Sequence, residues 1–240
     1  MDKQQTTIAA EARRRMMLGM GEDVPYISDG LVFWLDGIDK GADDGSWVDL
    51  VGGIVLRGVD YTPIVLDNGF KLLNGKSMNS IDFPIGYVGG SVYTIEACIN
   101  YAKIISAAYQ YGSSVTFNRT SSGFGEYPNI GVGSRDQKRF SFMQRNGTLQ
   151  SMKYGSLTFD NKPHTLSFSK DLGYIDLSIG VSGSAGAIEG QYFRGVTLYA
   201  LAKSNSYDVF HSVRLYNRIL TEEEVLHNQQ IDNERFNLGL

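Results

Sequence analysis

Cysteine occurs once in the chain, at Cys98. An internal disulfide is thereby excluded, and the fold has to rest on its apolar core. Histidine is also scarce: His164, His211 and His227 lie far apart, and with one cysteine they present no zinc-ligand spacing. No serine stands in a G-x-S-x-G elbow or beside a recognisable base, so nucleophilic catalysis has no local signature. The alternating E-x-D-x-x-E of sandwich glucanases, which sets two carboxyls about 5 Å apart along a strand, is missing too. Glu96 and Asp176 stand alone in their runs, and Glu222, Glu223 and Glu224 read as the start of a helix, where the dipole favours acids.

Long apolar runs are absent, which excludes a transmembrane helix. The first thirty residues lack the basic start, apolar middle and small-residue cleavage site of a secretory signal, so export by the general secretory route is not expected. Positive charge is not in excess either. A net charge of −4 argues against nucleic acid as a partner. The balance is uneven along the chain, because residues 30–100 are rich in Asp whereas the stretch from Lys103 to Lys170 carries Arg119, Arg135, Lys138, Arg139, Arg145, Lys153 and Lys162. Solvated strand faces and loops account for that stretch without an anion-binding surface.

What is plentiful is turn chemistry. With 28 glycines and 12% aromatics, 240 residues suit one turn-rich β domain. Short alternating runs predict strands at Leu31–Asp36, Gly53–Arg57, Phe70–Leu73, Met78–Phe83, Val92–Tyr101, Ser114–Asn118, Arg139–Gln144, Thr165–Lys170, Tyr174–Val181, Val196–Ala202 and Tyr207–Tyr216. In the fifth, Tyr93, Ile95, Ala97, Ile99 and Tyr101 oppose Thr94, Glu96 and Asn100. In the last, Val209, His211, Val213 and Leu215 oppose Phe210, Ser212, Arg214 and Tyr216, which places His211 on the apolar face as a core histidine. In Tyr174–Val181, Ile175, Leu177, Ile179 and Val181 oppose Tyr174, Asp176 and Ser178. One face buried and one wet or semi-polar is the pattern of two antiparallel sheets packed face to face.

The periodicity changes abruptly after Tyr216. Thr221 is placed as an N-cap, Glu224 as its capping-box partner and Leu220 as a staple onto Val225, which predicts a short C-terminal helix. Before the strands, Thr6 to Met20 reads as a helix ended by Gly19, Gly21 and Pro25. Its arginines and its exposed Met16, Met17, Leu18 and Met20 suit either a frayed leader or an anchor packed on a larger assembly.

The terminal stretch Arg214-Leu-Tyr-Asn-Arg-Ile-Leu-Thr-Glu-Glu-Glu-Val225 resembles the closing element of the laminin-G-like branch of the concanavalin A-like lectin superfamily. Gly30-Leu-Val-Phe-Trp-Leu-Asp-Gly37 with Trp47-Val-Asp-Leu-Val-Gly-Gly53 is similar to its opening, and Ser91 to Tyr101 to its long T-I-E-x-W strand, with Cys98 in the aromatic position. Lys162-Pro-His-Thr-Leu-Ser-Phe168 is similar to its W-H-H-V-A strand only loosely. The resemblance implies an all-β antiparallel sandwich, a concanavalin A-like jelly roll, over residues 28–240 behind a leader at 1–27.

That resemblance directs attention to sugars and calcium. Sugar sites combine exposed aromatics with polar side chains at a shallow groove, and Tyr109, Tyr111, Arg119, Phe124, Tyr127 and Asn129 supply that mixture. Asp36, Asp39, Asp43 and Asp44 form an oxygen-rich loop, the one candidate for Ca2+, although Asp and Gly are equally what turns select; no motif requires a cofactor. Arg13, Arg14, Met16, Met17 and Leu18 are the candidate assembly anchor. The expected function is non-catalytic recognition of a surface glycan or glycoprotein, as a displayed subunit of a phage virion or other assembly at the extracellular surface. A glycoside hydrolase on the same sandwich and a purely structural decoration protein are the alternatives.

Overall fold

The computed structural model describes residues 26–40, 44–73, 76–80, 93–100, 114–118, 128–132, 139–146, 149–158, 162–169, 172–176, 178–182, 195–200 and 207–240. They build two eight-stranded antiparallel sheets and one α-helix. The first sheet runs β14 (Ser178–Ser182), β13 (Leu172–Ile175), β12 (Pro163–Ser169), β7 (Thr94–Asn100), β16 (Tyr207–Tyr216), β5 (Gly69–Leu73) and β4 (Ile64–Leu66), with β1 (Leu31–Asp36) also paired to β16. The second runs β11 (Leu149–Thr158), β10 (Arg139–Asn146), β9 (Pro128–Val132), β8 (Ser114–Asn118), β15 (Gly195–Ala200), β6 (Lys76–Ser80), β3 (Val55–Gly58) and β2 (Trp47–Val48). The chain is an all-β sandwich, finished by helix α1 (Glu222–Phe236).

The two sheets close over one core. Ile95, Ala97 and Ile99 of β7, Leu166 and Phe168 of β12, and Phe210, Val213 and Leu215 of β16 meet Val115 and Phe117 of β8 and Val196 and Leu198 of β15. Phe33 of β1 sets its ring edge-on to Phe117 across the sheets at 5.6 Å, and Trp47 stacks on Phe70 at 4.6 Å. The alternation expected for β7 is therefore observed on its core side.

The other side of β7 departs from expectation. It is not wet: Thr94, Glu96 and Cys98 are buried. Helix α1 lies over this outer face, beside Tyr216, Leu220 and Val225 in one apolar cluster and Tyr26, Trp34, Leu50 and Ile231 in another. Period-two patterning reports that two faces differ, and it does not report whether a later element covers the polar one.

Strand β16 holds the second departure. Its predicted bounds stand, but the register shifts between Phe210 and Ser212, so Phe210 joins Val213 and Leu215 in the core. The bulge lies where the strand changes partners along one edge, from β5 at Tyr207 to Phe210 to β1 at Ser212 to Tyr216. Three backbones crowd there. A Cβ on Gly37 would lie 2.6 Å from the His211 carbonyl, and one on Gly69 2.5 Å from the Phe210 carbonyl, which is why glycine occupies both positions. His211 thus leaves the Val213 face and packs against Phe236 of α1.

Tyr174–Val181 is two strands, not one. Ile175 pairs with Ser178 across a tight hairpin in which Asp176 takes a left-handed φ of 48°, as Asp tolerates in turns. Strands β2, β4, β9 and β11 were not expected, being very short, glycine-interrupted or rich in polar residues. The predicted leader helix lies outside the described residues. No helix among the described residues is long and apolar enough to cross a membrane.

Candidate functional site

Charge converges under α1. Alternation on β16 sends Ser212, Arg214 and Tyr216 toward the helix, and the i, i+4 spacing of Asn228 and Asp232 brings both down onto them. The Arg214 guanidinium donates through Nε to Glu96 Oε2 at 2.9 Å and through Nη1 to Asp232 Oδ1 at 2.9 Å, while Nη2 pairs with Asp232 Oδ2. Asn228 donates to the same Glu96 Oε2 at 2.9 Å and to the Tyr216 hydroxyl at 3.0 Å. Ser212 and Tyr26 donate their hydroxyls to Asp232 Oδ1, and the Tyr26 ring lies 4.1 Å from the guanidinium carbon. Arg214 itself is 0% exposed.

Two acids held by one arginine can do little chemistry on a ligand. Glu96 and Asp232 are each 1% exposed, with the cation between them and the helix above. Burial raises the Glu96 pKa to about 6, against the lowering influence of Arg214, and the two carboxylates hold the Arg214 proton more firmly. The network locks α1, β7 and β16 together and fixes the chain entry at Tyr26 and Ile27, whose amide donates to Asn228 Oδ1 at 2.9 Å.

The acidic loop chosen from the sequence is similarly committed. Asp36 is buried; its Oδ1 accepts the amides of Ile38 and Asp39, and its Oδ2 takes the Arg235 Nε at 2.8 Å. Asp39 receives the other end of the same guanidinium at 2.9 Å. Asp44 instead folds back on the amide and hydroxyl of Ser46. Asp36 and Asp39 are brought together by an arginine, Asp44 serves a separate turn, and Asp43 lies outside the described residues. Among the described residues no group of His, Cys, Asp and Glu is arranged to hold a metal ion.

Asp49 went unnoticed in the sequence. It is buried and accepts the amides of Trp34 at 2.7 Å, Val51 at 3.1 Å and Gly52 at 2.6 Å, and desolvation raises its pKa to about 6. An Asp two and three residues before a Val-Gly pair is an Asx-turn signal that could have identified it. Asn228 and Asp232 had a weaker signal: two polar residues on the helical stripe that carries Val225 and Phe236 require polar partners beneath them.

The histidines are held by neighbours. His211 pairs through Nδ1 with the Asn68 carbonyl at 2.8 Å, and burial lowers its pKa. His164, at the start of β12, pairs with Asp176, which also accepts the Thr165 amide at 3.0 Å and so ties the β13–β14 hairpin to β12.

Of the sugar-binding candidates, Tyr109, Tyr111, Arg119, Phe124 and Tyr127 lie outside the described residues, as do the anchor candidates Arg13, Arg14, Met16, Met17 and Leu18. Asn129 stands in β9 opposite Thr116. Their attachment points are described. The segment with Tyr109 and Tyr111 enters β8 at Ser114, whereas the one with Arg119, Phe124 and Tyr127 leaves it at Asn118. At about 3.3 Å per residue Ser114 and Asn118 are roughly 13 Å apart along β8.

No family model matches the chain, and no curated protein matches it. Solved structures do. A sialidase from Trypanosoma rangeli aligns at a TM-score of 0.61 and 12% identity over 95% of this chain and 38% of its own. Domain 4 of AbnA, an extracellular GH43 arabinanase from Geobacillus stearothermophilus solved with arabinotriose, aligns at 0.61 and 13% identity over 83% of this chain and 98% of its own. The binding domain of botulinum neurotoxin serotype G aligns at 0.61 and 13% identity, covering 85% and 51%. The chain shares their sandwich. It spans well under half of the sialidase, and at these identities the likeness establishes the fold and nothing finer.

Proposed function

We propose that this chain is a non-catalytic recognition module that binds carbohydrate through loops at an end of its sandwich, within the laminin-G-like branch of the concanavalin A-like superfamily. The observation that carries the reading is the match to AbnA domain 4, a domain solved with arabinotriose and covered over 98% of its length. The commitment of Glu96, Asp232 and Asp36 to arginines supports it, since each of these buried carboxylates serves packing. A surface glycan or glycoprotein is the ligand class. The phage-virion setting draws no support from the proteins described above.

The test is an oligosaccharide array that includes arabinotriose and sialylated glycans, run alongside a reducing-end assay on mixed polysaccharides. Retention on a glycan with no new reducing ends is expected. Release of reducing ends would establish the hydrolase alternative, and failure to bind any glycan would leave the sandwich without this role.

A further inference from the structure

Sheet pairing sets four buried side chains in a tile on the outer face beneath α1. Glu96 of β7 stands opposite Ser167 of β12, and Cys98 stands opposite Thr165. Residues two apart on a strand share a face, and directly opposed residues bring their Cβ atoms to about 4.5–5.5 Å. All four are sealed from solvent, at 1% exposure or less.

Their polar atoms are unequally provided for. Glu96 Oε2 accepts from both Arg214 and Asn228. Glu96 Oε1, Ser167 Oγ and Thr165 Oγ1 are buried with no hydrogen-bond partner among the described residues. A single orphaned acceptor is ordinary, but three on one tile share one remedy. A buried carboxylate oxygen and two hydroxyls left unmatched would each cost on the order of 1–3 kcal/mol, and native interiors meet such groups with ordered water that makes two to four hydrogen bonds.

We propose that Glu96 Oε1, Ser167 Oγ and Thr165 Oγ1 form a binding site for one buried structural water between β7, β12 and α1. The water donates to the carboxylate and bonds to the two hydroxyls, each of which can donate or accept. It extends the network from β16 and α1 to β12, a strand that the Arg214 cluster does not reach by itself. Among the described residues the other charged or titratable groups around Glu96 are Arg214 and Tyr216 on β16, Asp232 on α1 and, on its own strand, Cys98; the hydrogen bonds from Arg214 and Asn228 both fall on Oε2, which leaves Oε1 to the water.

A crystal structure of the full chain at a resolution that places ordered water tests the site. The expected result is one oxygen at roughly 2.7–3.0 Å from Glu96 Oε1 and from at least one of the two hydroxyls. Hydroxyls bonded directly to Glu96 or to backbone carbonyls with nothing between overturn it, as does density at about 2.3–2.6 Å that exchanges for a heavier ion, which would make the occupant a cation. Oxygen-17 relaxation dispersion on the chain and on the Thr165→Val/Ser167→Ala variant gives a second readout: loss of one long-lived water is expected, and an unchanged count overturns the assignment. If the double variant fails to fold, the crystal structure of the unsubstituted chain decides alone.

Discussion

Arg214 is the cation that holds two buried acids, and its replacement leaves both without it. Charged pairs of this kind contribute little relative to a well-packed apolar set, but breaking one strands an uncompensated charge. Arg214→Met is expected to lower stability by about 3–5 kcal/mol at pH 7, measured by denaturant unfolding, with a smaller loss at pH 5 where Glu96 is protonated. The sequence displayed Arg214 and Glu96 as residues on polar strand faces. That they were opposed in register, and buried rather than wet, depended on pairing between segments more than a hundred residues apart.

The same residues give a pH dependence. Glu96 and Asp49 are both raised to about 6 when folded, from ordinary values near 4. The folded state then holds protons that the unfolded chain has released, so stability falls as pH rises from about 4 to about 6 and stays lowered above it. Glu224 acts in the opposite sense: the hydrogen bonds from Arg218 lower its pKa to about 2, and the stability it contributes is lost as pH falls below about 4. Thermal melts should therefore show a stability maximum near pH 4–5 with a decline toward pH 7, and Glu96→Gln should flatten that decline. A steady rise in melting temperature from pH 4 to pH 7 would contradict the assignment.

At the scale of elements, helix α1 shows how local chemistry and tertiary position divide. Thr221 caps it, Glu224 closes the capping box, and Leu220 and Val225 share a cluster, all as the sequence predicts. Arg218 then grips Glu224 through two hydrogen bonds at 2.7 Å, which stiffens the turn from β16 into the helix. Thr221→Ala is expected to cost about 1 kcal/mol in chemical denaturation, with the β-sheet circular-dichroism signal retained. These features were legible because caps act within four residues. The hairpin at Asp176 and the bulge at His211 were not, because an alternating run looks the same whether it continues or turns back, and a partner change on a neighbouring edge leaves no mark in the bulged strand.

On the scale of the whole molecule, sequence and structure agree on the two-sheet sandwich. The aromatic segments around Tyr109 and Tyr127 are adjacent in sequence, but β8 separates their attachment points by its full length. On the proposed function, one shallow site takes its aromatics from one end. Tyr109→Ala/Tyr111→Ala and Phe124→Ala/Tyr127→Ala are therefore expected to differ: one pair abolishes glycan retention on the array, and the other leaves it within about threefold, less than 1 kcal/mol. Equal losses from both pairs would show that the two segments act together.

The sequence by itself determined the two-sheet fold class, the bounds of β1, β8 and β16, the apolar side of β7 and the capped start of α1, since each follows from periodicity or from hydrogen bonds made a few residues away. Only tertiary structure decided that the polar side of β7 lies under a helix, that Asp36 and Asp39 meet Arg235, and that Phe210 rather than His211 enters the core. Each of these depends on residues brought together across the chain, where register and burial follow from how all the strands pair at once.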